Sequence, residues 1–159
     1  HLCGEMLKVA TGANITHIPY RSGSAAMTDL FGGSLDFMFE PMYSALPAVR
    51  AGRVVALAIT TPTRSPLLPA VPTMVEAGLS GFHMENWQGL IGPAGMPESI
   101  VNLLNATVNK ALVDPTIKAQ MLAQGNELGG GAPAHFAALV KAETERWGKV
   151  VRANGIVPE

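Results

Sequence analysis

The chain has 159 residues, 48% of them hydrophobic and 14% charged, with a formal net charge of −1. That composition belongs to a globular protein with a core and excludes a disordered chain. The near-neutral balance and the scattering of the 11 basic residues leave no electrostatic footprint for nucleic acid or an acidic membrane, so neither is expected as a partner.

Taken in order, His1 to Thr11 reads as the end of a helix, with Leu2, Met6 and Val9 on one face and Gly12 as its stop. Ile15 to Pro19 reads as a short strand containing His17. Ser22 to Phe31 has helical character and ends at Gly32-Gly33. Leu35 to Phe39 is an almost continuous apolar run, the pattern of a strand covered on both faces. Pro41 opens a helix that runs through Val49 and stops at Gly52. Val54 to Ile59 reads as another buried strand. This alternation of helices and strands is the signature of an α/β domain.

The character changes at Thr61 to Pro72, which carries Pro62, Pro66, Pro69 and Pro72. The prolines make it a stiff crossover rather than a loose linker. Thr73 to Ala77 reads as a short helix, with Thr73 as N-cap and Gly78 as stop. Phe82 to Ile91 reads as a long strand around Trp87, followed by a turn at Gly92-Pro93-Ala94-Gly95. Glu98 to Val113 is an amphipathic helix with Ile100, Leu103, Leu104, Val108, Ala111 and Leu112 on one face. A helix follows from Thr116 to Gln124. Beyond the loop Gly129-Gly130-Gly131, a final helix from Pro133 to Asn154 turns Phe136, Leu139, Val140, Trp147 and Val151 inward. The composition shift near residue 80 divides the chain into 1–80 and 81–159.

The chemistry-bearing residues exclude several function classes. The histidines His1, His17, His83 and His135 lie far apart, with no partner at ligand spacing, so no metal site is expected. Cys3 is the one cysteine, which rules out an intrachain disulfide. Neither a nucleophile elbow nor a phosphate loop occurs, and no cofactor is expected. No convergent acid/base set is visible, so the chain does not read as an enzyme. No apolar run reaches the roughly 18 residues of a membrane span. The first residues lack a basic leader, and the chain looks cut inside a helix.

Three junctions stand out. In Tyr20-Arg21-Ser22-Gly23-Ser24-Ala25 a strand meets a helix start, where free N–H groups and partial positive charge suit a carboxylate. Read alone, it is either an ordinary N-cap or an anion seat. Phe39-Glu40-Pro41 is a second such junction, where Glu40 suits a donor such as an amine, a hydroxyl or water. Trp87-Gln88-Gly89 sets a flat apolar wall beside a glycine, and serves either as core or as pocket wall. Ligands of α/β sheets sit at the carboxyl ends of strands, where these junctions fall.

The stretch from Ile18 to Gly33 resembles the "VPYKGSGPALTDLLGG" pattern of the Bug-type receptors, the substrate-binding proteins of tripartite tricarboxylate transporters. Leu35-Asp36-Phe37-Met38-Phe39 is similar to that family's "VDLMFD". The similarity continues through Ala56 to Thr60, Val71-Pro72-Thr73, Gly92 to Gly95 and Trp147 to Val151, covering essentially the whole chain. Family members are about twice as long, so the resemblance assigns this chain to the C-terminal half. It implies a type II periplasmic-binding-protein fold, with two α/β lobes and a hinge, here lacking the N-terminal part. Residues 1–80 would be part of the second, ligand-binding lobe, and 81–159 would return to the first. It also implies a periplasmic receptor that passes a small organic anion (a mono- or dicarboxylate or a related amino acid) to membrane transporter subunits. A sensor or partner module with the same binding fold is the alternative. The ligand-binding set carried over is Tyr20, Arg21, Ser22, Gly23, Ser24, Ala25, Phe39, Glu40 and Trp87. Glu40 departs from the family's usual Asp by one methylene, and Arg21 from its usual Lys. Apolar surface left by the missing half would favour a dimer.

Overall fold

The computed structural model describes residues 1–153, 155 and 156. It divides into two compact units, 1–86 and 87–159. Among the described residues the regular elements are six helices: α1 Leu2–Thr11, α2 Gly23–Phe31, α3 Met42–Arg50, α4 Glu98–Val113, α5 Pro115–Ala123 and α6 Pro133–Ala153. The expected Asn154 end of α6 lies outside the described residues.

The helix boundaries follow capping chemistry. Gly12 closes α1 in the left-handed region at φ 69°, its N–H returning to the Lys8 carbonyl. Ser22 caps α2 through its side chain, which accepts from Ala25 N. Asp114 caps α5 by accepting from the amides of Thr116 and Ile117, with Pro115 in the first turn. Pro41 stands one place earlier than expected, as the cap of α3 rather than its first residue.

The expected strands are where the structure departs from the sequence reading. None of Ile15–Pro19, Leu35–Phe39, Val54–Ile59 or Phe82–Ile91 forms a ladder. Among the described residues the β pairing is one parallel bridge, Ile59 to Thr73. Ile59 N donates to the Pro72 carbonyl and Met74 N to the Ile59 carbonyl. Thr60 ties to Met84 through Met84 N to the Thr60 carbonyl and Thr60 Oγ1 to the Met84 carbonyl at 2.7 Å. Nor is Val54–Ile59 covered on both faces: Val55 and Leu57 are 81% and 71% exposed, while their alternate neighbours are half-buried. A period of two with one open face is a strand pattern without a neighbour on that side.

Thr73 to Ala77 is a single turn, not a helix. Thr73 and Glu76 cap each other: Glu76 Oε2 accepts from Thr73 N at 2.7 Å, and Thr73 Oγ1 accepts from Glu76 N at 3.1 Å. Gly78 at φ 99° then turns the chain, and Leu79 N returns to the Met74 carbonyl. From the proline-rich crossover, Arg64 Nε donates to both Glu76 carboxylate oxygens and Nη1 to the Pro69 carbonyl. Glu76 thus clamps the crossover to the turn.

The Arg64 hydrogen bond, and next the one from the Thr73 amide, hold the Glu76 carboxyl below its ordinary 4.5. A depressed folded-state pKa means stability that is present above the unfolded value and lost as pH falls through the folded one. Thermal melts against pH should therefore show Glu76→Gln less stable than wild type near neutrality. The gap should close as the medium is acidified below 4.5; a gap independent of pH would contradict the clamp.

The core of the first unit contains Cys3, Ala26, Leu46, Ala48, Met74 and Phe82, and the polar Thr73 is buried as well. In the second unit α4 packs on α5. The face of α4 expected to be apolar and covered is open over most of its length: Ile100, Leu103, Leu104 and Val108 are exposed, while Ala111 and Leu112 at its end are half-buried. Along the rest of the helix the half-buried positions are Val101, Asn105 and Asn109. Hydrogen bonding fixes this choice. Asn105 and Asn109 side-chain amides donate to the Gly131 carbonyl, and Gly131 N donates back to Asn109 Oδ1 at 2.8 Å. On α6, Phe136, Val140, Trp147 and Val151 are partly covered as expected, but Leu139 is exposed.

Candidate functional site

The two helix-start junctions of the first unit, at Gly23 and Glu40, meet in space. The meeting point is Gly23, the first residue of α2. A Cβ placed there would lie 3.0 Å from Glu40 Oε2 and 3.1 Å from Oε1. The absence of a side chain at position 23 lets the Glu40 carboxylate lie against the first turn of α2. The first-turn amides of Gly23 and Ser24 have no intrahelical acceptor, and the helix dipole makes that end partly positive.

Ser44 holds Glu40 in place. Its hydroxyl lies 2.6 Å from Glu40 Oε1, as donor, and 3.0 Å from the Pro41 carbonyl. Ser44 lies in the first turn of α3, four residues after Glu40, so α3 itself orients the carboxylate. Sequence reading passed over Ser44. The available signal was the spacing Glu-Pro-x-x-Ser, in which a helix opened by Pro brings the serine back over the preceding residue.

The remaining loop residues divide between capping and exposure. Ser22 Oγ accepts from Ala25 N at 3.3 Å and lies 2.9 Å from Ser24 Oγ. Ser22, Gly23, Ser24, Ala25 and Arg21 are all exposed. Tyr20 is half-buried and donates its hydroxyl to Asp29 Oδ2 at 2.7 Å. That hydrogen bond, helped by some desolvation, raises the phenol above its ordinary pKa of 10.0. The phenol therefore ties the loop to the second turn of α2. Asp29 is a further residue that sequence reading did not single out.

Phe39 points its chemistry elsewhere: it stacks on buried Phe82 at 6.2 Å and meets Phe37 edge-on at 6.2 Å. Trp87 lies in the second unit. It is 40% exposed and makes an edge contact with Phe136 at 5.4 Å. A side chain at Gly89 would collide with the Phe136 ring, so glycine there gives Phe136 room to sit beneath the indole. Among the described residues, no group of three or more His, Cys, Asp or Glu could hold a metal ion. Among the described residues, no helix is long and apolar enough to cross a membrane.

The arrangement sets the Glu40 carboxylate against the first turn of α2, with the Ser22 and Ser24 hydroxyls exposed beside it. It can bind polar ligands.

Comparison with known proteins places this geometry in context. Residues 1–156 match the family model described as "Tripartite tricarboxylate transporter family receptor". The chain is similar to R. palustris Rpa4515 with adipate, at 35% identity and a TM-score of 0.93, covering 100% of this chain and 53% of that one. It is similar to the periplasmic binding protein BugD at 34% identity and a TM-score of 0.90, covering 100% and 54%. Similarity to MatC from Rhodopseudomonas palustris with bound malate is 35% identity at a TM-score of 0.86, covering 94% and 52%. The chain also spans about half the length of the curated relatives that it matches at 35–41% identity. The periplasmic-binding-protein fold expected from the sequence is the fold these chains share, so the runs without a ladder still follow its path.

Proposed function

This chain belongs to the tripartite tricarboxylate transporter receptor family, and on that premise we propose that the protein carrying it is a periplasmic solute-binding receptor. It captures a small organic carboxylate and presents it to the membrane subunits of a tripartite tricarboxylate-type transporter. It binds without transforming its ligand. The observation that supports this most is the likeness to two chains solved with dicarboxylates, adipate and malate, at 35% identity.

The local chemistry supports the same reading. Exposed Arg21 supplies positive charge and a donor to a carboxylate, and the exposed hydroxyls of Ser22 and Ser24 lie beside it in sequence. Arg21 keeps the charge of the family's usual Lys and adds a planar, bidentate donor. Lobe closure around the ligand is the expected motion. A thermal-shift screen of four- to six-carbon dicarboxylates, monocarboxylates and amino acids tests the proposal. At least one acid should raise the melting temperature by several degrees, whereas their amides and alcohols should not. A flat response to every acid would count against it, and would move weight to a sensor or partner role.

The exposed Val55 and Leu57 support a second expectation, that this 159-residue chain in isolation self-associates through that strand face. Sedimentation velocity should show the Leu57→Lys variant shifted toward the monomer. Identical profiles for the two would rule that face out.

A further inference from the structure

The corner where α2 begins already contains an anion. We propose that Glu40 is a built-in counter-anion that keeps ligand carboxylates off the Gly23 edge of α2, so that the ligand group reaching this corner must be a hydrogen-bond donor. The inference rests on the receptor reading for its ligand but not for its geometry. Glu40 is half-buried, its two oxygens lie about equally close to the Gly23 Cβ position, and the Ser44 hydroxyl fixes one of them. Both halves of the arrangement are built in. Gly23 removes the side chain that would push the carboxylate away, and α3 carries the serine that keeps it there.

Two carboxylates within contact distance repel, and both cannot stay ionised at neutral pH without an intervening cation or proton. A ligand carboxylate therefore lies away from Glu40, and exposed Arg21 is the cation nearest in sequence to this corner. The atom facing Glu40 must offer a proton: a hydroxyl or ammonium on the carbon beside the carboxylate, or a protonated acid. An aspartate here would be one methylene shorter and would leave the Gly23 edge open. Glu40 thus acts as a specificity-determining residue.

The test uses inorganic sulfate as the probe. Thermal melts of wild type and Glu40→Ala are compared with and without sulfate at matched ionic strength. Sulfate stabilises proteins generally by exclusion, and that component is common to both. With the carboxylate gone, sulfate should enter at the α2 start and give the variant an additional rise of about 2–4 °C. Equal shifts in the two proteins would overturn the assignment. Should Glu40→Ala fold poorly, Glu40→Ser leaves the same room and decides the question. In a parallel arm, wild type should favour a 2-hydroxy dicarboxylate over its deoxy analogue about tenfold or more, and Glu40→Ala should narrow that ratio. An unchanged ratio would also overturn the assignment. If no organic acid binds either protein but sulfate separates them, the receptor reading fails and the role of Glu40 stands. If acids bind but sulfate does not separate the two, the reverse holds.

Discussion

Replacing Phe82 by Ala should destabilise the first unit by about 3–5 kcal/mol, the range for truncating a buried aromatic. Phe82 is 4% exposed and stacks nearly parallel to Phe39 at 6.2 Å, while Phe39 in turn meets Phe37. Truncation removes the ring, the ring pair and the support beneath the segment that leads to Glu40. Domains of this size have only about 5–15 kcal/mol in total, so the variant should stand near the edge of unfolding. Phe82→Leu keeps most of the apolar bulk and should lose far less, of which the ring pair is about 0.5–1.5 kcal/mol. Urea titration followed by far-ultraviolet circular dichroism measures both. A loss under 1 kcal/mol for Phe82→Ala would mean that the Phe37–Phe39–Phe82 group is not a cooperative core.

The second large effect is on binding. Arg21→Ala should weaken a dicarboxylate about ten- to a hundredfold while leaving stability within about 0.5 kcal/mol of wild type. Arg21 is exposed, and exposed side chains outside special features rarely matter to folding. A hydrogen bond to a charged group contributes about 1.5–3 kcal/mol, which converts to that range of affinity. Arg21→Lys keeps the charge but loses the planar fork, so it should fall between the two. Isothermal calorimetry with the best acid from the screen, paired with a thermal melt, separates the effects. Unchanged affinity in Arg21→Ala would place the ligand carboxylate away from this loop.

Helices were legible because their signals are local. Gly12 after α1, Ser22 before α2, Asp114-Pro115 before α5 and Pro133 opening α6 each act within one turn of their own position. Strands were not, because a ladder needs a second segment and nothing in Val54 to Ile59 says where that lies. The run reads as buried on both faces, yet Val55 and Leu57 are open. The turn at Thr73 shows a local signal read too far: the Thr73–Glu76 capping box is present, but Gly78 ends the element after one turn. On α4 the apolar periodicity matched the covered side only at Ala111 and Leu112, while Asn105 and Asn109, reaching the Gly131 loop, are half-buried where the pattern had no apolar residue.

The site was legible in part. The residues themselves marked the loop from Tyr20 to Ala25 and the Glu40 junction as separate helix starts, and the family resemblance implied a ligand-binding role for them. Their meeting at Gly23 was not legible, because it depends on how α2 and α3 pack. Nor was the holding of Glu40 by Ser44, which needs the Pro41 start of α3 to bring the hydroxyl round. The same packing changes the electrostatic reading of the α2 start from a vacant anion seat to one already balanced by a carboxylate.

The most direct test of the central claim is native mass spectrometry of the protein carrying this chain, as purified, followed by gentle denaturation to release bound small molecules. The receptor reading predicts a carboxylic acid of defined mass, with a hydroxyl or amino group next to the carboxylate if Glu40 acts as assigned. An empty protein that also shows no thermal shift with any organic acid would contradict it.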